Sequence, residues 1–131
     1  MEKILFEDFK KVEIAVGEIL TAEKIPETDK LIKLTVDFGL KPSLENVSPD
    51  YSSETDDLER RDIRQIVSGI SAYFPDESVL VGKKCMFVVN LEPRKIKGYE
   101  SNGMLFAVST EDGAFSLLEP NANIPNGTRA K

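Results

Sequence analysis

The sequence predicts an all-β protein, a small closed barrel, and three observations predict it. Five or six short runs of β-branched and apolar residues recur along the chain, several alternating with polar ones. Glycine, proline, Asn and Asp punctuate these runs at turn-like spacing. Only one segment between the runs, residues 70–74, reads as a short helix lying among strands. At 131 residues the chain is sized for one domain.

The elements follow in order. Phe6-Glu7-Asp8-Phe9-Lys10-Lys11 reads as a helical turn leading in. Residues 12–20 alternate as a half-buried first strand, with Gly17 expected at a bulge or bend. Residues 25–30 make a turn, and residues 31–37 form a second strand with Ile32, Leu34 and Val36 on one face and Lys33 and Thr35 on the other. Residues 40–62 then break the rhythm. This stretch is rich in serine, proline and acids, and we expect a charged insertion between strands two and three, a mobile hairpin extension with a helical turn near 58–61. Residues 62–69 form the third strand and residues 70–74 the short helix, stopped by Pro75. The fourth strand covers 84–90. A basic connector follows at 93–98, then a fifth strand at 104–109 and a last short one at 114–119. Pro120 and Pro125 mark a terminal loop, so the domain spans 1–131 with its core at about 6–120. By pattern alone an OB fold, a five-stranded Greek-key barrel, stands among other small barrels.

Composition removes several chemistries. There is no histidine, the commonest general base and metal ligand. The single cysteine, Cys85, sits in an apolar strand and reads as a small buried hydrophobe rather than a reactive thiol. No apolar run approaches the roughly 18 residues of a membrane span, and the N-terminus lacks a signal-peptide pattern, so the expectation is cytoplasmic residence without membrane contact. No glycine-rich phosphate loop is present, and the acidic stretch lacks the ligand spacing of a calcium loop. The expectation is a binding protein, not an enzyme, with no cofactor and no metal.

The net charge of −6 is unevenly spread. Residues 42–62 hold seven acids and two bases, a net of −5, whereas residues 83–98 hold Lys83, Lys84, Arg94, Lys95 and Lys97 against Glu92, a net of +4. A polyanion responds to such local potential rather than to the total.

Several blocks, in order, resemble one family. They are Asp8-Phe9-Lys10-Lys11-Val12-Glu13-Ile14, Asp29-Lys30-Leu31, Val36-Asp37-Phe38-Gly39, Arg64-Gln65-Ile66-Val67-Ser68-Gly69-Ile70, Val81-Gly82-Lys83, and the run from Asn90-Leu91-Glu92-Pro93-Arg94-Lys95 to Ser101-Asn102-Gly103-Met104. Together they are similar to the tRNA-binding domain family. That family includes standalone structure-specific tRNA-binding proteins, the C-terminal domain of many methionyl-tRNA synthetases, an arm of the phenylalanyl-tRNA synthetase beta chain, the cytokine-like end of a multisynthetase scaffold, and a secretion-chaperone-like branch. The resemblance implies an OB fold, tRNA as partner, possible association with an aminoacyl-tRNA synthetase, and a homodimer. It departs at Ala15, where the family usually carries arginine, and at the insertion, where the family turn is short.

RNA contact requires cations for phosphates and polar or flat groups for bases. The candidates are Lys30, Lys33, Arg64, Ser68, Asn90, Arg94, Lys95, Lys97, Ser101 and Met104. Each has a plainer reading: lysines as solvated charge, Asn90 and Ser101 as turn-formers, Met104 as core. Phe87 and Phe106 are expected in the core, with the other phenylalanines and tyrosines mostly inside. The competing function is a peptide-binding, chaperone-like homodimer, to which the acidic balance is suited.

Overall fold

The computed structural model describes residues 1–41 and 60–131. A four-residue helix α1 (Phe6–Phe9) precedes the strands β1 (Ile14–Lys24), β2 (Ile32–Leu40), β3 (Arg61–Ser68), β4 (Lys84–Val88), β5 (Arg94–Ile96), β6 (Tyr99–Ser101), β7 (Met104–Leu105), β8 (Ala107–Ser109) and β9 (Phe115–Leu117). The main antiparallel sheet has the order β3-β2-β1-β4-β7, and two hairpins, β5-β6 and β8-β9, stand beside it. This is the curled, OB-type barrel the sequence predicts.

β1 makes the barrel. Its first residues pair with β4, from Ile14 opposite Val88 to Glu18 opposite Lys84. From Glu18 onward it pairs with β2. One coiled strand thus serves two neighbours in sequence. The bulge falls at Leu20, between the pairs Ile19–Val36 and Thr21–Thr35, and not at Gly17, which is in regular register with Cys85. Gly17 has a different reason to be small. A Cβ there would lie 2.6 Å from the Phe38 ring and from Val36 Cγ1, and 3.0 Å from the Phe87 ring. Those two rings meet edge to face across the core, with centroids 5.3 Å apart.

The core is built by period-two alternation. Ile32, Leu34 and Val36 of β2 are fully buried, and Ile66, Cys85 and Phe87 join them from β3 and β4. Each such large side chain contributes about 1.5–3 kcal/mol of burial. Burial pushes the Cys85 thiol up to about 12, so it is a neutral packing group near neutrality. Phe106 is only half-buried, because the expected fifth strand breaks there into β7 and β8. Phe6 and Phe9 are exposed, since α1 buries nothing.

Between β3 and β4 the expected helix is a 3-10 turn, Ser71–Tyr73, followed by a second, Glu77–Leu80. Pro75 between them lacks the N–H a longer helix needs. The second turn delivers Leu80, which is fully buried in the core.

The barrel closes through individual hydrogen bonds rather than a strand ladder. The Asn102 N–H donates to Gln65 O at 2.9 Å, the Val67 N–H to Ser101 Oγ at 3.0 Å, and Gln65 Nε2 to Glu100 O at 2.9 Å. The segment after Pro120 is more than a loop. Gly127 N–H donates to Val16 O at 2.7 Å, Val16 N–H to Thr128 O at 3.0 Å, and Ala130 N–H to Ile14 O at 2.8 Å. This tail takes the edge of β1 that β2 does not reach.

The expected insertion over 40–62 is narrower at both ends: Leu40 belongs to β2, and Arg61 and Asp62 to β3. Of the helical turn expected near 58–61, Arg60 is helical and Arg61 already belongs to β3; the rest of that expectation, and the expected charged hairpin, lie outside the described residues.

Candidate nucleic-acid interface

The cations divide into two groups by what holds them. Arg94, Lys95 and Lys97 lie on the β5–β6 hairpin and are all exposed. In place of a basic connector the chain forms a tight two-residue turn, Ile96 pairing with Tyr99 around Lys97 and Gly98. Both turn residues have positive φ, 52° and 84°. That is the geometry of a type I′ turn, whose twist matches that of its flanking strands. Lys97 is therefore held at a hairpin tip. Lys95 stands opposite Glu100 and Arg94 opposite Ser101. Among the described residues, Arg94, Lys95, Lys97 and Lys30 have no ion-pair partner within 4.0 Å.

Arg64, Ser101 and Asn90 are engaged internally. Arg64 Nε and Nη2 grip the two carboxylate oxygens of Asp62 at 2.9 Å each, and Nη1 donates to Val89 O at 2.5 Å and to Asn102 O at 3.2 Å. Its guanidinium also lies 5.3 Å from the Phe38 ring centroid. It buckles β3 to the end of β4 and to the 102 turn, and is not a free cation for phosphate. Ser101 is 4% exposed; its hydroxyl accepts from Val67 N–H and donates to Gly103 O at 3.3 Å. Asn90 accepts from Glu13 N–H at 2.8 Å and donates to Lys11 O, tying the N-terminal segment to the barrel. These three were expected to touch RNA; each has its polar atoms committed to the fold. Ser68 is half-buried at the end of β3, opposite Ile32. Met104 has the reverse fate of its plainer reading: it is exposed rather than core.

Lys33 occupies the middle ground. Its ammonium lies 3.4 Å from Glu23 and 5.4 Å from the Tyr99 ring centroid. Tyr99 is a residue sequence reading did not single out, and it is half-buried where the hairpin faces the β1–β2 turn. Two hollows adjoin there. One, of about 340 Å³, is lined by Ile25, Pro26, Glu27, Thr28, Lys97 and Tyr99; the other, of about 490 Å³, is lined by residues 27–31 with Ile96 and Lys97. The Lys97-Gly98 pair, read as a hairpin turn, would have placed Tyr99 at the start of the returning strand.

Ala15 is 1% exposed, so the family's departure at that position does not fall on an open strand face. It bridges in backbone to Arg129, and both line a further hollow of about 380 Å³. Arg129 itself pairs with Glu13 at 3.1 Å. Among the described residues, no group of three acids or thiols is placed to hold a metal ion, and no helix is long and apolar enough to cross a membrane.

OB-type barrels bind oligonucleotides and oligosaccharides, and unpaired cations on an exposed hairpin beside a cleft suit a polyanionic ligand. The chain belongs to the family described as putative tRNA binding domain, which matches residues 51–129. It is 38% identical over 130 residues to the methionine--tRNA ligase of Porphyromonas gingivalis, covering 99% of this chain and 16% of that enzyme. It is 40% identical over 129 residues to the methionine--tRNA ligase of Caldanaerobacter subterraneus, covering 98% and 17%. The chain therefore spans about one-sixth of the length of these relatives. Among solved structures, a MetRS related protein from Pyrococcus horikoshii superposes with a TM-score of 0.77 at 38% identity, covering 100% of each chain. The chaperone CsaA from Bacillus anthracis superposes with a TM-score of 0.74 at 26% identity, covering 99% of this chain and 100% of that one.

Proposed function

We propose that this chain is a noncatalytic, structure-specific tRNA-binding module of the cytoplasm, acting alone or beside a methionyl-tRNA synthetase. The observation that carries the reading is the hairpin. Arg94, Lys95 and Lys97 stand exposed on a hairpin closed by a type I′ turn, with no competing carboxylate within ion-pair distance among the described residues. Arg94 offers a planar fork suited to a phosphate, and the lysines act as point charges. Lys30 and Lys33 extend the cationic surface across the neighbouring cleft. Ser101, opposite Arg94 in the hairpin, accepts from the Val67 N–H and so ties β6 to β3.

Phosphate contacts of this kind raise the local concentration of tRNA, which is what a synthetase appendage requires. We further propose a homodimer, in which two modules on one tRNA multiply avidity. The exposed apolar residues Ile4, Leu5, Phe6, Phe9 and Val12 of the N-terminal segment supply the surface for it.

The test is a titration of total tRNA at several salt concentrations, with an Arg94→Ala/Lys95→Ala variant alongside. Log K falls with log salt by about 0.7–0.9 per phosphate contacted, and the variant gives a weaker, shallower line. The likeness to the chaperone CsaA favours a second reading, a peptide-binding dimer. No tRNA binding even at low salt, together with binding of unfolded basic peptides, would replace the first reading with the second.

A further inference from the structure

We propose that the cleft between the β1–β2 turn and the β5–β6 hairpin is a pocket for a single unpaired nucleotide, whose base stacks on Tyr99. The proposal rests on the tRNA-binding reading and names what that site recognises: an exposed base, beyond the backbone of a paired stem.

The first argument is shape. The hollow beside Tyr99, about 340 Å³, continues into the second of about 490 Å³, and the two share Glu27, Thr28 and Lys97. Clefts that hold small ligands run from about 300 to 1,000 Å³. Ile25, Pro26 and Tyr99 are its apolar and aromatic lining, beside Glu27, Thr28 and Lys97. The Lys33 ammonium, 5.4 Å from the ring centroid, holds that ring in a cationic surrounding. Stacking on an aromatic face is how single-stranded nucleic acid is bound without a ladder of base pairs.

The second argument is charge. A site built for phosphate alone would exclude carboxylates, yet Glu27 and Asp29 line this cleft together with Lys30 and Lys97. A carboxylate beside a stacking ring accepts hydrogen bonds from the donor edge of a base. Guanine, with N1–H and N2–H₂ adjacent, matches both oxygens of Glu27 at once. Lys97 and Lys30 are then left for the nucleotide's phosphates.

The third argument is backbone strain. Glu27 and Lys97 are the two non-glycine residues with positive φ among the described residues, at 67° and 52°. Such conformations cost energy and gather at binding sites. Both sit in turns, Lys97 at the hairpin tip and Glu27 after Pro26 in the Ile25–Thr28 turn, where the Thr28 N–H donates to Ile25 O at 3.4 Å; in each a charged residue stands where glycine or asparagine is usual. Both face the same cleft, one from each side.

The experiment measures binding of fluorescently labelled tRNA, a fully paired RNA duplex, and the single-stranded tetramers UUGU and UUUU. The proteins are wild type, Tyr99→Leu, Tyr99→Phe and Glu27→Gln, each checked for folding by circular dichroism. The expected result is a loss of tRNA affinity of about tenfold for Tyr99→Leu, with an unchanged salt slope, because stacking releases no counterions. Tyr99→Phe retains affinity within about twofold, and duplex binding is the same for all four. Wild type prefers UUGU to UUUU, and Glu27→Gln removes that preference. The tetramer comparison on wild type stands even where Tyr99→Leu fails to fold. If wild type binds tRNA with steep salt dependence but UUGU no better than UUUU, and Tyr99→Leu binds as tightly as wild type, the nucleotide pocket is wrong and the tRNA reading survives. If wild type binds no RNA at all, both fall.

Discussion

Arg64 illustrates how a single side chain is assigned its work. Its fork is spread over the two oxygens of Asp62 and the carbonyls of Val89 and Asn102. A lysine carries the same charge but cannot place parallel donors on one carboxylate while reaching two carbonyls. We expect Arg64→Lys to destabilise the fold by about 1–3 kcal/mol, the cost of leaving part-buried acceptors unpaired. Urea unfolding measures it. With binding corrected for the folded fraction, tRNA affinity changes far less than stability; an unchanged stability with a large loss of affinity would return Arg64 to the interface. The sequence showed that residue 64 is a cation on a strand. It did not show the two carbonyls that complete its surroundings, because those lie 25 and 38 residues away.

Among the elements, β1 is the one on which the barrel depends. It coils enough to pair with β4, β2 and the C-terminal tail in turn. The lack of a side chain at Gly17 lets β2 and β4 pack their rings beneath that coil. Gly17→Ala sets a methyl 2.6 Å from the Phe38 ring and from Val36. Both are held in the core, so neither yields cheaply. The expected cost is about 1–3 kcal/mol, read as a lower denaturation midpoint with an unchanged slope. A midpoint equal to wild type would show that β1 relaxes at this point. The β5–β6 hairpin makes the complementary case. Its alternation was too short to read as strands, and only its pairing shows that Lys97-Gly98 is a turn.

At the scale of the molecule, the N-terminal segment is the feature the barrel does not use. α1 buries no residue, and Phe6 is 71% exposed. An apolar strip of this kind marks an interaction surface. Light scattering is expected to give twice the chain mass of 14.6 kDa for wild type and the single mass for Phe6→Asp/Phe9→Asp, with the barrel still folded. A monomeric wild type at micromolar concentration would remove the homodimer and the avidity argument with it.

Local chemistry was enough to determine the long strands and most of the core, and the family was legible as a resemblance of several ordered blocks. Side chains alternate with period two along a strand, so Ile32, Leu34 and Val36 announce a buried face without any partner in view. The cations of residues 94–97 were equally plain as charges. The tertiary structure alone decided which cations are available and where a ligand fits. Ser101, Asn90 and Arg64 read as binding residues in the sequence, and closure of the barrel brings Val67, Glu13 and Val89 to their polar atoms. The cleft at Tyr99 exists only because residues 25–31 and 96–99 meet across the fold. Such meetings depend on where whole strands are carried by the coil of β1, and hydrogen bonds act over a few ångströms whatever the separation in sequence.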